Sequence, residues 1–218
     1  MIKLSPRLES AIQYTRGFNK LMDVGCDHAY LPIEAWSRGY VKKAIASDNK
    51  EAPFNNALEN IQLNLATENV EALLSEGLEK IDETVDVVSI LGMGGNLIVD
   101  ILKNADLKNV KRLILSPNSD AAEVRDYLQA NHLSIIDEEF VKDNDKFYQI
   151  MIVEKGEMTL SKSEVRFGPI NLQKQSPEFV EYIHKLIAKL ERGRQKARQI
   201  YAIKNLENEI KSLKECIK

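Results

Sequence analysis

The chain has 218 residues, 44% of them hydrophobic, which suits one domain of ordinary size with an appendage. Its two cysteines, Cys26 and Cys216, give no sign of a disulfide framework; no apolar run nears membrane-spanning length and the first residues lack a signal-peptide core, so a soluble, cytoplasmic protein with no membrane partner is expected. The net charge of −3 is unevenly spread: residues 155–218 carry 14 basic and 8 acidic side chains, the preceding 154 carry 16 and 25, and a basic tail suits an anionic partner as well as it suits a solvated helix face.

Ser5 and Pro6 predict a helix start, with Leu8, Ile12 and Tyr14 on its buried side and Gly17 at its end. A strand over 21–24 runs into Gly25 and a short polar turn. A helix near 29–38 follows, closed by Gly39. The next strand, 41–47, ends at Asp48. Phe54, Ala57, Leu58, Ile61 and Leu65 recur at helical spacing over 51–66. Strands at 70–74 and 85–91 end in Ser75-Glu76-Gly77-Leu78 and Gly92-Met93-Gly94-Gly95; the second is apolar nearly throughout, as in the middle of a parallel sheet. A helix near 96–104, a strand at 112–115 ending in Ser116-Pro117-Asn118, and a helix at 120–130 come next. Strands at 133–141 and 147–153, joined through Asp143-Asn144-Asp145, read as a hairpin. The expectation is five β–α alternations and a hairpin: an α/β sheet of seven strands, the last antiparallel.

Residues 154–175 read as irregular, and the domain boundary is expected there, with a sheet domain over 1–155 and a helical domain over 156–218. Ser176-Pro177-Glu178 opens a new helix. Phe179, Ile183, Leu186, Leu190 and Ala197 form one apolar stripe, and Leu206, Ile210, Leu213 and Ile217 another. The register breaks between 193 and 205, which favours a two-helix antiparallel coiled-coil hairpin. The same stripes would serve a monomer or a weak dimer.

The first strand end selects the cofactor. A dinucleotide fingerprint needs three glycines as G-x-G-x-x-G, and only Gly25 stands here. Asp23-x-Gly25-x-Asp27 instead resembles the first motif of class I S-adenosylmethionine-dependent methyltransferases. Asp48, 23 residues beyond Gly25, is placed to accept hydrogen bonds from ribose hydroxyls or to cap the next helix. The terminal hairpin also resembles that Rossmann-like class I methyltransferase sheet.

Three motifs narrow the family. Asp23-Val24-Gly25-Cys26-Asp27-His28-Ala29-Tyr30-Leu31-Pro32, Gly92-Met93-Gly94-Gly95 and Ser116-Pro117-Asn118 fall at successive strand ends, followed by Arg125-x-x-Leu128 and Lys146-Phe147-Tyr148-Gln149-Ile150. This set closely resembles the bacterial tRNA (adenine-22-N1)-methyltransferase family, the TrmK type. The resemblance implies S-adenosyl-L-methionine as methyl donor, tRNA as acceptor, and a tail that helps to hold the tRNA. It implies cofactor contacts from Asp23, Gly25, Cys26, Asp48, Asn49, Gly77, Leu78, Gly92 and Met93, with Ser75–Leu78 beside the adenine ring.

Chemistry suggests the remaining roles. N1 of adenine has an in-plane lone pair and no proton, so it attacks a methyl sulfonium without prior deprotonation; the enzyme must align the reactants and stabilise a cationic product. Asp27 is the first candidate for the second task, and is equally placed to cap the following helix. His28 could orient Asp27 or contact the base, and Asn118 could read an adenine edge. Tyr30 or Tyr148 could stack on the base, with Gly94, Gly95 and Pro117 lining a slim, flexible loop beside it. N1 lies on the pairing edge, so the base must be unpaired or extruded. Lys185, Lys189, Arg192 and Lys196 share a helix face and are the candidate phosphate-binding patch. Asp27-His28, with His132 and His184 far off, has no metal-ligand spacing, so no metal is expected. The competing readings are a methyltransferase acting on another RNA, a small molecule or a protein, and an inactive RNA-binding module on the same scaffold.

Overall fold

Apolar runs with period two and period 3.6 alternate along the chain and fold as they read. The computed structural model describes residues 2–217. Its elements are α1 (Pro6–Gln13), β1 (Lys20–Val24), α2 (Tyr30–Ser37), β2 (Lys43–Asp48), α3 (Glu51–Leu63), β3 (Val70–Leu74), β4 (Val87–Leu91), α4 (Gly95–Lys103), β5 (Arg112–Ser116), α5 (Ala121–Ala130), β6 (Leu133–Asp143), β7 (Lys146–Lys155), α6 (Lys162–Phe167), α7 (Pro169–Lys174), α8 (Pro177–Lys196) and α9 (Ile200–Glu215). The strand order is β3-β2-β1-β4-β5-β7-β6. The first five strands are mutually parallel; β7 inserts between β5 and β6, antiparallel to both.

Side-chain alternation supplies a core on each face of the sheet. Leu21, Ala44, Ala46, Val87 and Ile114 pack with α1, α2 and α3. Met22, Ile45, Val88, Ile90 and Leu113 pack with α4 and α5. The predicted alternation fails at one place: between β3 and β4 the described chain makes turns and no helix. Leu78, Ile81 and Val85 stand at helical spacing there, yet the chain runs through turns at 77–80 and 83–84, so β3 connects to β4 through a loop.

The segment read as irregular holds two short helices. Ser161 accepts from the Glu164 backbone N–H while the Glu164 carboxylate accepts from Ser161 N, a capping box that starts α6. Pro169 occupies the first turn of α7. Beyond them α8 and α9 form an antiparallel hairpin, crossed by the Arg194–Glu207 and Glu191–Lys214 ion pairs. Phe179, Ile183, Ile210 and Leu213 of the predicted stripes are buried, with Ile187, against Phe140 of β6 and Phe167 of α6. The stripe is thus largely consumed within one chain. Ala197 departs from the expectation: it lies just past α8, in extended backbone. No helix among the described residues is long and apolar enough to cross a membrane.

A buried ion pair ties sheet and tail together. Arg125 on α5 and Glu138 on β6 are both fully buried and meet at 2.7 Å. Arg125 also donates to Gln149 Oε1 and to the Val165 and Arg166 carbonyls. The second carboxylate oxygen of Glu138 accepts from Ile170 N and Asn171 N. Removing one partner of such a pair strands a buried charge. Arg125→Ala is therefore predicted to lower the unfolding free energy by about 3–5 kcal/mol in urea titrations. Lys142→Ala, which breaks the exposed pair with Glu181, is predicted to leave the unfolding midpoint nearly unchanged in the same assay.

Candidate active site at the strand ends

Four consecutive parallel pairings end in one crevice, and carbonyls at the ends of β2 and β5 receive the loops beside them. Ser47 O accepts from both Gly25 N and Cys26 N, Asp48 O from Ser75 N, and Ser116 O from Gly92 N. The chain turns off β1 at Gly25 with φ +75°, a conformation that disfavours side chains, and a Cβ there would run into Met93 Cε. The loop after β1 and the loop after β4 therefore touch across Gly25, and the single glycine of the motif is required by both.

Asp23 stands beside Ser89 in the β1–β4 ladder and accepts its hydroxyl at 2.6 Å. Burial pushes its carboxyl up to about 6, against lowering contributions from Ser89, the Cys26 thiol and the charge of Arg7. Burial, with Asp23 next to it, pushes the Cys26 thiol well above its usual range, so Cys26 is a packed loop residue and no nucleophile.

Two of the three expected catalytic residues, Asp27 and His28, lie side by side. Asp27 Oδ2 lies 3.3 Å from His28 Nε2, and Asp27 Oδ1 accepts from Asn56 Nδ2 on α3 at 3.2 Å. The His28 ring stacks on Tyr30, centroids 5.1 Å apart. The alternative role for Asp27 is corrected: the residue before α2 is Ala29 with φ +55°, and no side chain caps this helix. Asp27 is thus free of backbone duty, and its side chain is 59% exposed at the cleft mouth.

Asn118 ties two strand ends together. Its Nδ2 donates to Gly92 O at 2.6 Å and its backbone N–H to Met93 O at 2.8 Å. Gly95 N donates to Ser119 O. The loop expected to be flexible is held by these bonds. Gly95 is buried against the backbone of Ser119 and Asp120, and Pro117 is buried as well. Two of the expected substrate contacts thus shape the loop from beneath, while Gly94 is half-buried.

On the other side of the crevice, Asp48 Oδ1 accepts from Lys50 N, and Asn49 Nδ2 donates to Glu76 Oε2 at 3.0 Å. Gly77, packed on Ile101 of α4, and the buried Leu78 line a shallow cleft with Leu97. In the tail, Lys185 pairs with Glu181 and lies 4.7 Å over the Phe147 ring. Lys189, Arg192 and Lys196 are exposed and make no ion pair among the described residues. No group of three or more His, Cys, Asp or Glu is placed to hold a metal among those residues.

Sequence reading missed Arg7, Asn56 and Ser89. None sits in a strand-end motif; each reaches the site from a neighbouring element or loop. Arg7, from the first turn of α1, lines the same cleft as Asp23, Gly25, Asp27, His28 and Tyr30.

A parallel sheet with one inserted antiparallel strand, a single-glycine turn after β1 and an acid at the end of β2 together define a class I methyltransferase. Structures only 17% identical share this fold: the ribosomal protein L11 methylase of Lactobacillus delbrueckii superposes with a TM-score of 0.58 over 68% of this chain and 77% of that one. The particular family follows from sequence. The profile of the tRNA (adenine(22)-N(1))-methyltransferase family, TrmK, matches residues 21–218, and the chain belongs to that family. The Bacillus subtilis tRNA (adenine(22)-N(1))-methyltransferase is 33% identical over 159 residues, 72% of this chain and 67% of that one. Sp1610 of Streptococcus pneumoniae in complex with S-adenosyl-L-methionine is 39% identical, with a TM-score of 0.91 over 99% of this chain and all of that one. TrmK of M. capricolum in complex with S-adenosyl-homocysteine is 27% identical, with a TM-score of 0.85 over 99% of both chains.

The raised Asp23 carboxyl makes a signed prediction. A group that is harder to ionise in the fold than in the unfolded chain stabilises the fold below its unfolded pKa and loses that contribution as pH rises through about 6. Between pH 4.5 and 7.5 the wild type should lose about 2 kcal/mol of unfolding free energy that Asp23→Asn retains, as measured by urea denaturation at the two pH values.

Proposed function

We infer that this chain transfers a methyl group from S-adenosyl-L-methionine to N1 of adenine 22 of tRNA. One observation carries the reading: in a chain of this family, Asp27, His28 and Tyr30 cluster at the mouth of the same cleft that Asp23 and Gly25 floor.

The residues fit the cofactor. Gly25 turns the chain at φ +75° to form the floor of the cleft, and the buried Arg7 Nε has no hydrogen-bond partner among the described residues. When bound, the cofactor supplies an electrophilic methyl on a sulfonium. Asp48 and Asn49, at the end of β2, are assigned to its ribose, and the slot between Gly77–Leu78 and α4 to its adenine ring.

Asp27 is assigned to the cationic methylated base. A carboxylate beside the ring favours the charge that develops there, and His28 and Asn56 hold it in place. Asn118 has one amide N–H committed to Gly92 O, which leaves its carbonyl oxygen to accept from the exocyclic amine beside N1. The stacked His28 and Tyr30 rings offer a flat wall to an extruded base. The exposed Lys189, Arg192 and Lys196 are assigned to the tRNA backbone. On this reading residues 1–155 carry the chemistry and 156–218 the grip on RNA, in a cytoplasmic, monomeric enzyme.

Incubation with labelled S-adenosyl-L-methionine and unmodified bacterial tRNA should yield N1-methyladenosine at position 22; label in no tRNA would sink the reading. Asp27→Ala is expected to lower kcat by about 10²–10³ while leaving S-adenosyl-homocysteine affinity nearly unchanged. The triple variant Lys189→Glu, Arg192→Glu, Lys196→Glu should weaken tRNA binding at least about tenfold and flatten its salt dependence, without changing cofactor affinity.

A further inference from the structure

The tip of the helical hairpin carries large apolar side chains that the described residues leave uncovered. Ile200 and Tyr201, at the start of α9, are 85% and 77% exposed. The stripe that closes the hairpin passes Tyr201 by. Ile203 and Leu206 are half-buried and Ile210 and Leu213 buried, whereas Tyr201 shares the outer face with Lys204, Asn205 and Asn208, all exposed. An isolated apolar residue on a surface needs no explanation, but the company of Tyr201 is unusual. The run 185–204 holds seven Lys and Arg against Glu191 alone. Arg194 is paired with Glu207 and Lys185 with Glu181, while the exposed Arg192, Lys196, Arg198 and Lys204 make no ion pair among the described residues.

The fold carries this tip toward the crevice end of the sheet. The β6–β7 turn lies at that end, because β7 runs antiparallel to β5 and its first residues stand beyond Leu115. α8 follows β6 toward the turn: Phe179 packs on Phe140, Glu181 pairs with Lys142, and Lys185 lies over Phe147. The helix then continues from Lys185 to Lys196, a further reach of roughly 17 Å. An aromatic ring set among unpaired cations is the makeup of a stacking platform for single-stranded nucleic acid: the cations hold phosphates and the ring takes the face of a base. A second copy of the chain would bring the same cations to the contact, and like charges oppose it. We propose that Tyr201 stacks on an unpaired nucleotide of the RNA, one that lies outside the cleft and is not the methylated base, so that the enzyme holds its substrate at two separate points. This rests on the tRNA reading above and goes beyond its phosphate contacts in naming a contact to a base.

Binding of end-labelled, unmodified tRNA to the full chain, followed by fluorescence anisotropy over a series of salt concentrations, tests this. Tyr201→Ala should weaken binding about 5- to 50-fold and leave the slope of log affinity against log salt unchanged, because a stacked base releases no counterions. Tyr201→Phe and Tyr201→Trp should stay within about threefold of the wild type, and Tyr201→Leu, which keeps apolar surface but loses the ring face, should fall with Tyr201→Ala. In Tyr201→Trp, tRNA should quench the exposed indole further than it quenches the half-buried Trp36 of the wild type. Unchanged affinity in Tyr201→Ala overturns the proposal, as does wild-type affinity in Tyr201→Leu. Weaker binding with a flattened salt slope means that the basic face has been displaced, and overturns it as well. A wild-type dimer that Tyr201→Ala dissociates, in sedimentation runs without RNA, assigns the tip to a second copy and overturns the RNA contact. Failure of the wild type to bind tRNA at any salt concentration would strike the tRNA reading itself.

Discussion

The connection between the sheet and the tail hangs on one buried carboxylate. Glu138 takes Arg125 on one oxygen and the first N–H groups of α7 on the other, while Arg125 reaches the last carbonyls of α6. Helix ends leave such groups without partners, and two helices of six residues have little else to hold them. Gly168 stands between them at φ +93°, where a Cβ would run into the Glu138 carboxylate. Lys174 at the end of α7 returns to Glu138 O and to Asp137 and Glu139. The root of the helical hairpin is therefore fixed to the β6–β7 edge of the sheet. That fixity sets where the basic side of α8 stands relative to the strand ends, which a binding surface for a large RNA requires.

The crevice itself is an electrostatic compromise. Asp23, Asp27 and Asp48 bring three acids to the ends of two neighbouring strands, and Arg7 is the cation among the residues that line the cleft with Asp23 and Asp27. Such a surplus leaves net negative charge at the strand ends, and burial separately makes the Asp23 carboxyl hard to ionise. It suits a ligand that brings positive charge on its sulfonium and ammonium, and a product base that gains one. The acids differ in burial, and that separates their tasks. Asp23 is enclosed and held by Ser89, whereas Asp27 stands at the mouth on polar neighbours that can adjust as a base enters.

The sheet was legible because its strands are short apolar runs closed by glycine or polar turns, and the crevice because its motifs lie at the strand ends. The loop from β3 to β4 was miscounted as part of a regular β–α alternation: Leu78, Ile81 and Val85 stand at helical spacing, but the chain there runs through turns. The capping box at Ser161 and Glu164 was readable and went unread, since α6 is too short to show a period. Asp27 looked like a cap because acids before helices often are; Ala29 enters α2 in the left-handed region instead, a backbone detail that carries no compositional mark. The buried role of Pro117 and Gly95 was hidden for a related reason: a glycine-rich loop reads as open until the loop that lies against it is known. Arg125 stood out as part of a motif, but its partner Glu138 lies across a turn and a strand, where pairing depends on register.

Arg7 marks the limit of strand-end reading, because the cleft is closed by the first helix and the last strand. Tyr14 on the helix end donates to Asp137 and Glu139 of β6, and Arg112 of β5 donates to the Tyr14 carbonyl. These bonds span roughly a hundred residues of chain, and they strap α1 across the edge of the sheet beside β7. With that strap in place the Arg7 guanidinium lies over Tyr148 and lines the cleft at the β1 turn. The glycine turn and its acids can form locally from β1, β2 and β4. The cation that balances them arrives with the β5–β7–β6 half of the sheet. A cleft built this way cannot bind its ligand in full before the whole sheet has assembled, so ligand binding is linked to global folding rather than to the first motif alone.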